Sequence, residues 1–141
     1  MKRKQVLMVA LLIALIMLVS CAPSTKQVLA TKESQVKLRA IQTRAFDTTE
    51  KEKMLRTVIA TLQDLGFVVD KGDATLGTVS GTKLDRYALR MTVSVRPRGE
   101  TQLLVRANAQ YNIIAVEEPE PYQQFFDALS KAIFLTAHQV D

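Results

Sequence analysis

The chain has one cysteine, Cys21, and one histidine, His138. A single thiol can neither close a disulfide within one chain nor build a cysteine-ligated metal site. A single imidazole three residues from the C-terminus supplies neither a catalytic triad nor a histidine-rich metal site by itself. Its place suits a helix-end residue that complements the C-terminal dipole. Also missing are a Gly-x-Ser-x-Gly elbow, a phosphate loop and a dinucleotide fingerprint. The carboxylates Asp64, Asp70, Asp73 and Asp85 fall near a helix end or turns, where capping accounts for them better than paired acid–base work does. Glu117, Glu118 and Glu120 read as an acidic helix start, since cation loops need ligands at turn-controlled spacing. No catalytic residue, metal or cofactor is expected, and the chain is read as a non-enzyme.

A membrane-spanning run is missing as well. The uncharged apolar stretch Val6 to Val19 has 14 residues, about 21 Å as a helix, against the roughly 30 Å of a bilayer core. It follows the basic Met1-Lys2-Arg3-Lys4-Gln5 and precedes the small residue Ser20. That order fits a secretory signal peptide over residues 1–20. Leu18-Val19-Ser20-Cys21 resembles the lipobox of bacterial lipoproteins, and Ala22-Pro23-Ser24-Thr25 resembles the polar tether that follows it. The resemblance implies a diacylglycerol on the Cys21 sulfur, cleavage before Cys21 and acylation of the new amine. Each buried CH₂ contributes about 0.8 kcal/mol, so several acyl chains would hold the protein on a membrane where one would not. Because Ala22 rather than Asp follows the cysteine, the resemblance implies the periplasmic side of the outer membrane in a Gram-negative source.

The formal charge of +5 overstates the basicity of such a mature chain. Removing Lys2, Arg3 and Lys4 leaves 16 basic and 14 acidic residues, a net of +2. A nucleic-acid partner would want a concentrated basic face and is not expected. Residues 21–35 read as the lipidated cysteine and a flexible tether, and residues 36–141 as a single globular domain with one modest core.

Within that domain, Thr49 and Glu52 make a capping-box pattern, with Asp47 and Thr48 as competing caps. Met54, Leu55, Val58, Ile59, Leu62 and Leu65 recur at helical spacing, and Gly66 stands where a left-handed C-terminal cap is needed, with Phe67 able to fold back onto the last turn. Val36 to Phe46 reads as a strand before this helix. Extended structure resumes at Phe67-Val68-Val69, turns at Lys71-Gly72-Asp73-Ala74, and continues from Leu76 to Leu84, where Gly77 and Gly81 mark a bulge or an edge. Tyr87, Leu89, Met91, Val93 and Val95 alternate with polar residues, and so do Leu103, Val105, Ala107, Ala109 and Tyr111. With turn residues Pro97 to Glu100 between them, they predict a β-hairpin wet on one side. A last helix begins near Pro119 to Pro121 and turns Tyr122, Phe125, Phe126, Leu129 and Ile133 inward. The order β-α-β-β-β-α predicts an α+β two-layer sandwich: a four-stranded, mainly antiparallel sheet with two helices on one face.

This order resembles the helix-grip and related α+β domains of envelope lipoproteins, including those of the outer-membrane β-barrel assembly machinery. Gln42 to Thr48 and Leu62 to Phe67 resemble phrases in small bacterial lipoproteins of unassigned function. No functional residue follows from either likeness. The surface that invites a hypothesis is the solvent face of the hairpin, where Arg86, Arg90 and Arg96 on one strand face the same way as Arg106, Asn108, Gln110 and Asn112 on the next. Gln42 and Arg44 are candidates to join them. Arginine forks hold carboxylates and phosphates in two-point contacts. The expected function is therefore that of a membrane-tethered, protein-binding accessory in envelope assembly or secretion, with Arg90 and Arg106 as contacts. The competing expectation is a lipid or small-molecule carrier lined by Met54, Met91, Phe125 and Phe126. A cell-wall hydrolase comes third, and would need converging carboxylates.

Overall fold

The computed structural model describes residues 1–5, 34–85 and 87–138. The apolar run from Val6 to Val19, the cysteine at position 21, the rest of the leader and tether through residue 33, and Arg86 lie outside the described residues. The chain divides into two compact units, Met1–Ser34 and Gln35–Asp141. In the first, residues 2–5 form a single helical turn. No helix among the described residues is long and apolar enough to cross a membrane.

The second unit is a mixed α+β domain with an antiparallel sheet. A helix over residues 34–41 (α1) leads into β1 (Thr43–Phe46), α2 (Lys51–Asp64), β2 (Val68–Asp73), β3 (Thr78–Asp85), β4 (Tyr87–Arg98), β5 (Gln102–Tyr111), β6 (Ile114–Ala115) and α3 (Glu120–His138). The sheet order is β1-β5-β4-β3-β2, and the short β6 also pairs with β5. Four strands and two helices therefore understate the fold.

The first difference lies at Val36 to Ile41, which is helical rather than extended. Alternating apolar and basic residues suit a strand, but Leu38 and Ile41 also stand three apart on one helical face. Both pack against the core, while Val36 stays exposed. Burial of that pair decides the conformation, and only Thr43–Phe46 remains as strand. The second difference lies at the turn after Gly66. Lys71, Gly72 and Asp73 continue β2, and the chain reverses at residues 74–77. There the Asp73 Oδ1 accepts the Leu76 N–H at 2.8 Å, and Gly77 takes a φ of +69°. The expected turn is thus displaced, and it separates a full β2 from β3. The β4–β5 turn likewise shifts to residues 99–101, with β4 running through Arg98.

Helix α2 starts without the capping box. Glu50 is its N-cap and makes no side-chain cap, while Thr48 Oγ1 accepts the Glu50 N–H at 3.2 Å. At its other end Gly66 has φ +84°. The Phe67 N–H reaches the Leu62 carbonyl and the Gly66 N–H the Gln63 carbonyl, both at 2.9 Å. This is the Schellman arrangement with its apolar contact between Phe67 and Leu62.

The core forms where α2 and α3 cover one face of the sheet. Met54, Leu55, Val58 and Leu62 of α2 and Tyr122, Phe125, Phe126 and Leu129 of α3 are buried together with Met91, Val93 and Val95 of β4 and Leu103, Val105, Ala107 and Ala109 of β5. Along β5, the outer edge is shared end to end by β1, opposite Leu103 to Arg106, and β6, opposite Gln110 and Tyr111. Between them the Ala107 N–H donates to the Gln42 carbonyl at 2.9 Å, and the Ala109 N–H donates to the Tyr122 hydroxyl at 3.2 Å. That hydroxyl donates to the Val116 carbonyl at 2.6 Å and accepts from Gln42 Nε2 at 3.2 Å. A hydroxyl has one donor and two acceptor sites; all are used here, on a fully buried ring.

Two stability predictions follow from these contacts. Tyr122→Phe keeps the ring but strands a buried N–H, a carbonyl and an amide, and should lower the unfolding free energy in urea by about 3 kcal/mol. Gly77→Ala would put a Cβ 2.5 Å from the Val95 carbonyl at a positive φ, whereas a Cβ at Gly72 meets nothing within 4 Å. The first substitution should cost about 3 kcal/mol and the second less than about 1, a gap readable as a difference in Tm.

Candidate functional site

Register fixes which side chains share the uncovered face of the sheet. Cross-strand partners lie on the same side, so Arg90 opposite Gln110, Thr92 opposite Asn108 and Ser94 opposite Arg106 form successive rows across β4 and β5. The odd-numbered neighbours are buried under the helices, which turns these even-numbered residues outward. On β3, Thr82 continues the Arg90 row and Ser80 the Thr92 row. Thr43 of β1 continues the Arg106 row.

Among the described residues, the expected face thus brings Arg90, Arg96, Arg106, Asn108 and Gln110 together on two adjacent strands. Arg90, Arg96 and Asn108 are exposed, while Arg106 and Gln110 are half-buried. Asn112 does not join them. It occupies the β5–β6 turn with φ 52°, a left-handed geometry that asparagine tolerates better than most side chains.

Gln42 and Arg44 belong elsewhere. Gln42 is buried and bonds Tyr122. Arg44 pairs with Val105 in the register, so it points to the helix side. Its Nη1 donates to Ser130 Oγ at 3.2 Å and to Asp127 Oδ1 at 3.5 Å, and its guanidinium lies 5.0 Å from the Phe126 ring centroid. The reason is parity. In a four-residue strand entered from a helix, register alone decides which alternate residues face out.

The outer arginines are not equivalent. Arg90 Nε lies 4.0 Å from Asp70 Oδ2, and that carboxylate also accepts Thr82 Oγ1 at 2.6 Å. Asp70 is the extra residue of a bulge between Val69 and Lys71, which swings its carboxylate onto this face. Arg106 Nε is buried without a hydrogen-bond partner. Arg96 is exposed one row further on, opposite Leu104, and Arg98 follows opposite Gln102. Arg90 thus faces a carboxylate, whereas Arg96 and Arg98 lie toward the β4–β5 hairpin end, whose turn also carries Glu100. Around the Thr92 row the surface is hydroxyl-rich, with Ser80 Oγ and Thr92 Oγ1 3.0 Å apart.

Sequence reasoning missed two members of this surface. Arg98 reads as a turn residue because Pro97 and Gly99 flank it, yet it pairs in β4. Asp70 reads as part of a turn, whereas only the bulge brings it beside Arg90. A Val-Asp-Lys-Gly string carries no signal for that displacement.

Other candidate chemistry is accounted for by local bonding. Asp70 and Asp73 are engaged as described above, and no group of three or more potential ligands that could hold a metal is present among the described residues. The side chain of His138, at the end of α3, lies outside the described residues. Met54, Met91, Phe125 and Phe126 are at most 3% exposed and pack in the core. A groove of about 470 Å³ lies elsewhere, open between α2 and β2–β3, and is lined by Leu55, Ile59, Val79, Glu52, Arg56 and Asp73 among others.

No protein-family model matches the chain, and a search of curated proteins finds no match. The face must be argued from its own geometry.

Arg44 offers a clean control for the assignment of faces. Arg44→Ala removes a half-exposed ion pair and a ring contact that together contribute about 1 kcal/mol. It should lower Tm by a few degrees while leaving any ligand capture by the outer face unchanged. A binding loss equal to that of an outer arginine would contradict the register.

Proposed function

We propose that this protein is a membrane-anchored lipoprotein of the bacterial cell envelope that works as a non-enzymatic, protein-binding accessory. In this reading the leader is removed, acylated Cys21 holds the chain to a membrane, and the α+β domain presents the uncovered side of its sheet to a partner. The observation that carries it is the asymmetry of that sheet. One side is filled by two apolar helices, and the other carries Arg96, Arg98 and Arg106 with the amides of Asn108 and Gln110 and a field of hydroxyls. Arg106 brings a buried Nε donor without a hydrogen-bond partner among the described residues. Such a surface suits an acidic segment of a protein, whose carboxylates can be held by guanidinium forks while amides and hydroxyls satisfy its backbone.

The carrier reading has less support. Its expected lining is close-packed interior, and the 470 Å³ groove is open and has Glu52, Arg56 and Asp73 along it. The hydrolase reading needs converging carboxylates, and Asp70 and Asp73 are already bonded to neighbouring groups. The helix-grip likeness adds an envelope setting as analogy alone.

Arg96→Glu combined with Arg106→Glu should cut recovery of crosslinked partner from intact cells by tenfold or more, since reversing charges at a desolvating contact costs several kcal/mol. The same pair should leave Tm within a few degrees of the parent. Arg90→Glu alone should do less, because Asp70 already faces that side chain. Undiminished crosslinking by the folded double variant would remove the outer face from the function.

A further inference from the structure

One end of the sheet carries an exposed apolar cluster that no described residue covers. Leu84 is 85% exposed, Tyr87 64%, Tyr111 38%, Ile113 93% and Ile114 73%. Scattered exposed apolar residues are ordinary, but five large ones at a single tip are not. Register sets them at one end of the sheet but on both of its sides: Tyr87 and Tyr111 have the parity of the helix-covered side, and Leu84, opposite Ala88, that of the open side. Tyr111 pairs with Ile114 on one side and with Leu89 on the other, and Leu84 pairs with Ala88. The Asn112 N–H donates to the Ala88 carbonyl at 3.1 Å, tying the β5–β6 turn to the start of β4. The Tyr87 and Tyr111 rings meet edge-on with centroids 6.4 Å apart. The left-handed Asn112 sets the turn that projects Ile113 outward.

We propose that this tip is a second membrane contact, inserting into the interfacial layer of a phospholipid bilayer. Its exposure argues for a fluid partner. The β5–β6 turn and the adjoining ends of β3 and β4 present exposed apolar side chains, which a bilayer accommodates without a complementary cavity, whereas a protein partner would need a groove. The composition agrees, because tyrosines beside aliphatic residues match the region where headgroups meet acyl chains. Chain length agrees as well. The domain's sheet is entered at Thr43, opposite Arg106, and Tyr111 lies five residues along β5, about 17 Å away. The 13 steps between Cys21 and Ser34 can span up to about 45 Å, so a domain tethered through Cys21 can bring this tip to the same bilayer. The inference rests on the anchored reading for the nearness of that bilayer. The single acyl attachment leaves orientation open, and a second contact at the tip would fix it.

The chain has no tryptophan, so an introduced one is a clean reporter. Full-length protein matured in cells would be purified and reconstituted into vesicles of phosphatidylethanolamine and phosphatidylglycerol, with and without brominated acyl chains. Ile113→Trp should emit to the blue of its position in detergent-free water and lose at least half its intensity to the brominated lipid. Leu76→Trp, at the exposed turn on the opposite end of β3, should show neither effect. An Ile113→Trp chain that stays attached to vesicles but is unquenched overturns the proposal, and so does a blue shift without quenching, which would report a protein contact such as a second copy. Cys21→Ser separates the two readings. If that variant, checked by intact mass to have lost its leader, resists alkaline extraction from cell membranes as the parent does, the acyl anchor fails, whatever the quenching at the tip.

Discussion

The Tyr122 hydroxyl joins the Gln42 side chain, eighty positions away in sequence, to the backbone of Ala109 and Val116. Strand β5 has a complete neighbour on its β4 side, but its other edge is divided between the short β1 and the two-residue β6. The interval between them falls at Ala107 to Ala109, under the helices. Left unpaired there, buried amides would each cost about 1–3 kcal/mol. The Gln42 carbonyl takes one amide, and the Tyr122 hydroxyl takes the other while joining Gln42 and Val116. Because Tyr122 stands in the first turn of α3, this bond also sets where that helix begins to cross the sheet. Phe125, Phe126 and Leu129 then fall onto β5, and Arg44 closes the far side by reaching Asp127 and Ser130. Both α2 and α3 are thereby committed to one side, and the other side is left to solvent.

The parts of this arrangement that the chain announces locally are those with an unambiguous period. Helix α2 carries six apolar residues at helical spacing and ends on Gly66, whose positive φ lets the backbone close on itself. The β4–β5 hairpin alternates for ten residues on each strand, so both its existence and its buried side can be read directly. The outward placement of Arg90, Arg96, Arg106, Asn108 and Gln110 follows from that alternation alone. Elsewhere the signal is degenerate. Val36 to Ile41 fits period two and a short helix equally, and contact of Leu38 and Ile41 with a core assembled from distant residues selects the helix. Lys71-Gly72-Asp73 has turn composition, yet the chain turns three residues later, where Asp73 can bond Leu76 and Gly77 can adopt the left-handed geometry. The side on which Arg44 emerges depends on pairing with Val105, a contact between residues more than sixty positions apart.

The two surfaces proposed to act lie on one sheet and differ in chemistry. The open face is polar and arginine-bearing, and suits an acidic protein segment. The apolar tip lies at the opposite end of the same strands, at the β5–β6 turn and the adjoining ends of β3 and β4. A domain resting on a bilayer by that tip would carry its hairpin end, and Arg96, Arg98 and Arg106 with it, away from the lipid. Strand length sets the separation: the twelve residues of β4 span about 40 Å. The membrane would then serve as a reference plane from which the cationic end is displayed.

The proposed display of this face from a membrane depends on a covalent attachment proposed at the chain's one sulfhydryl. Intact-mass analysis of protein extracted from native membranes addresses it directly. The account predicts a polypeptide that begins at Cys21 and carries the added mass of a diacylglyceryl group, with or without a further acyl chain on the amine. A mass corresponding to a chain that still begins at Met1, or to an unmodified thiol at position 21, would contradict it.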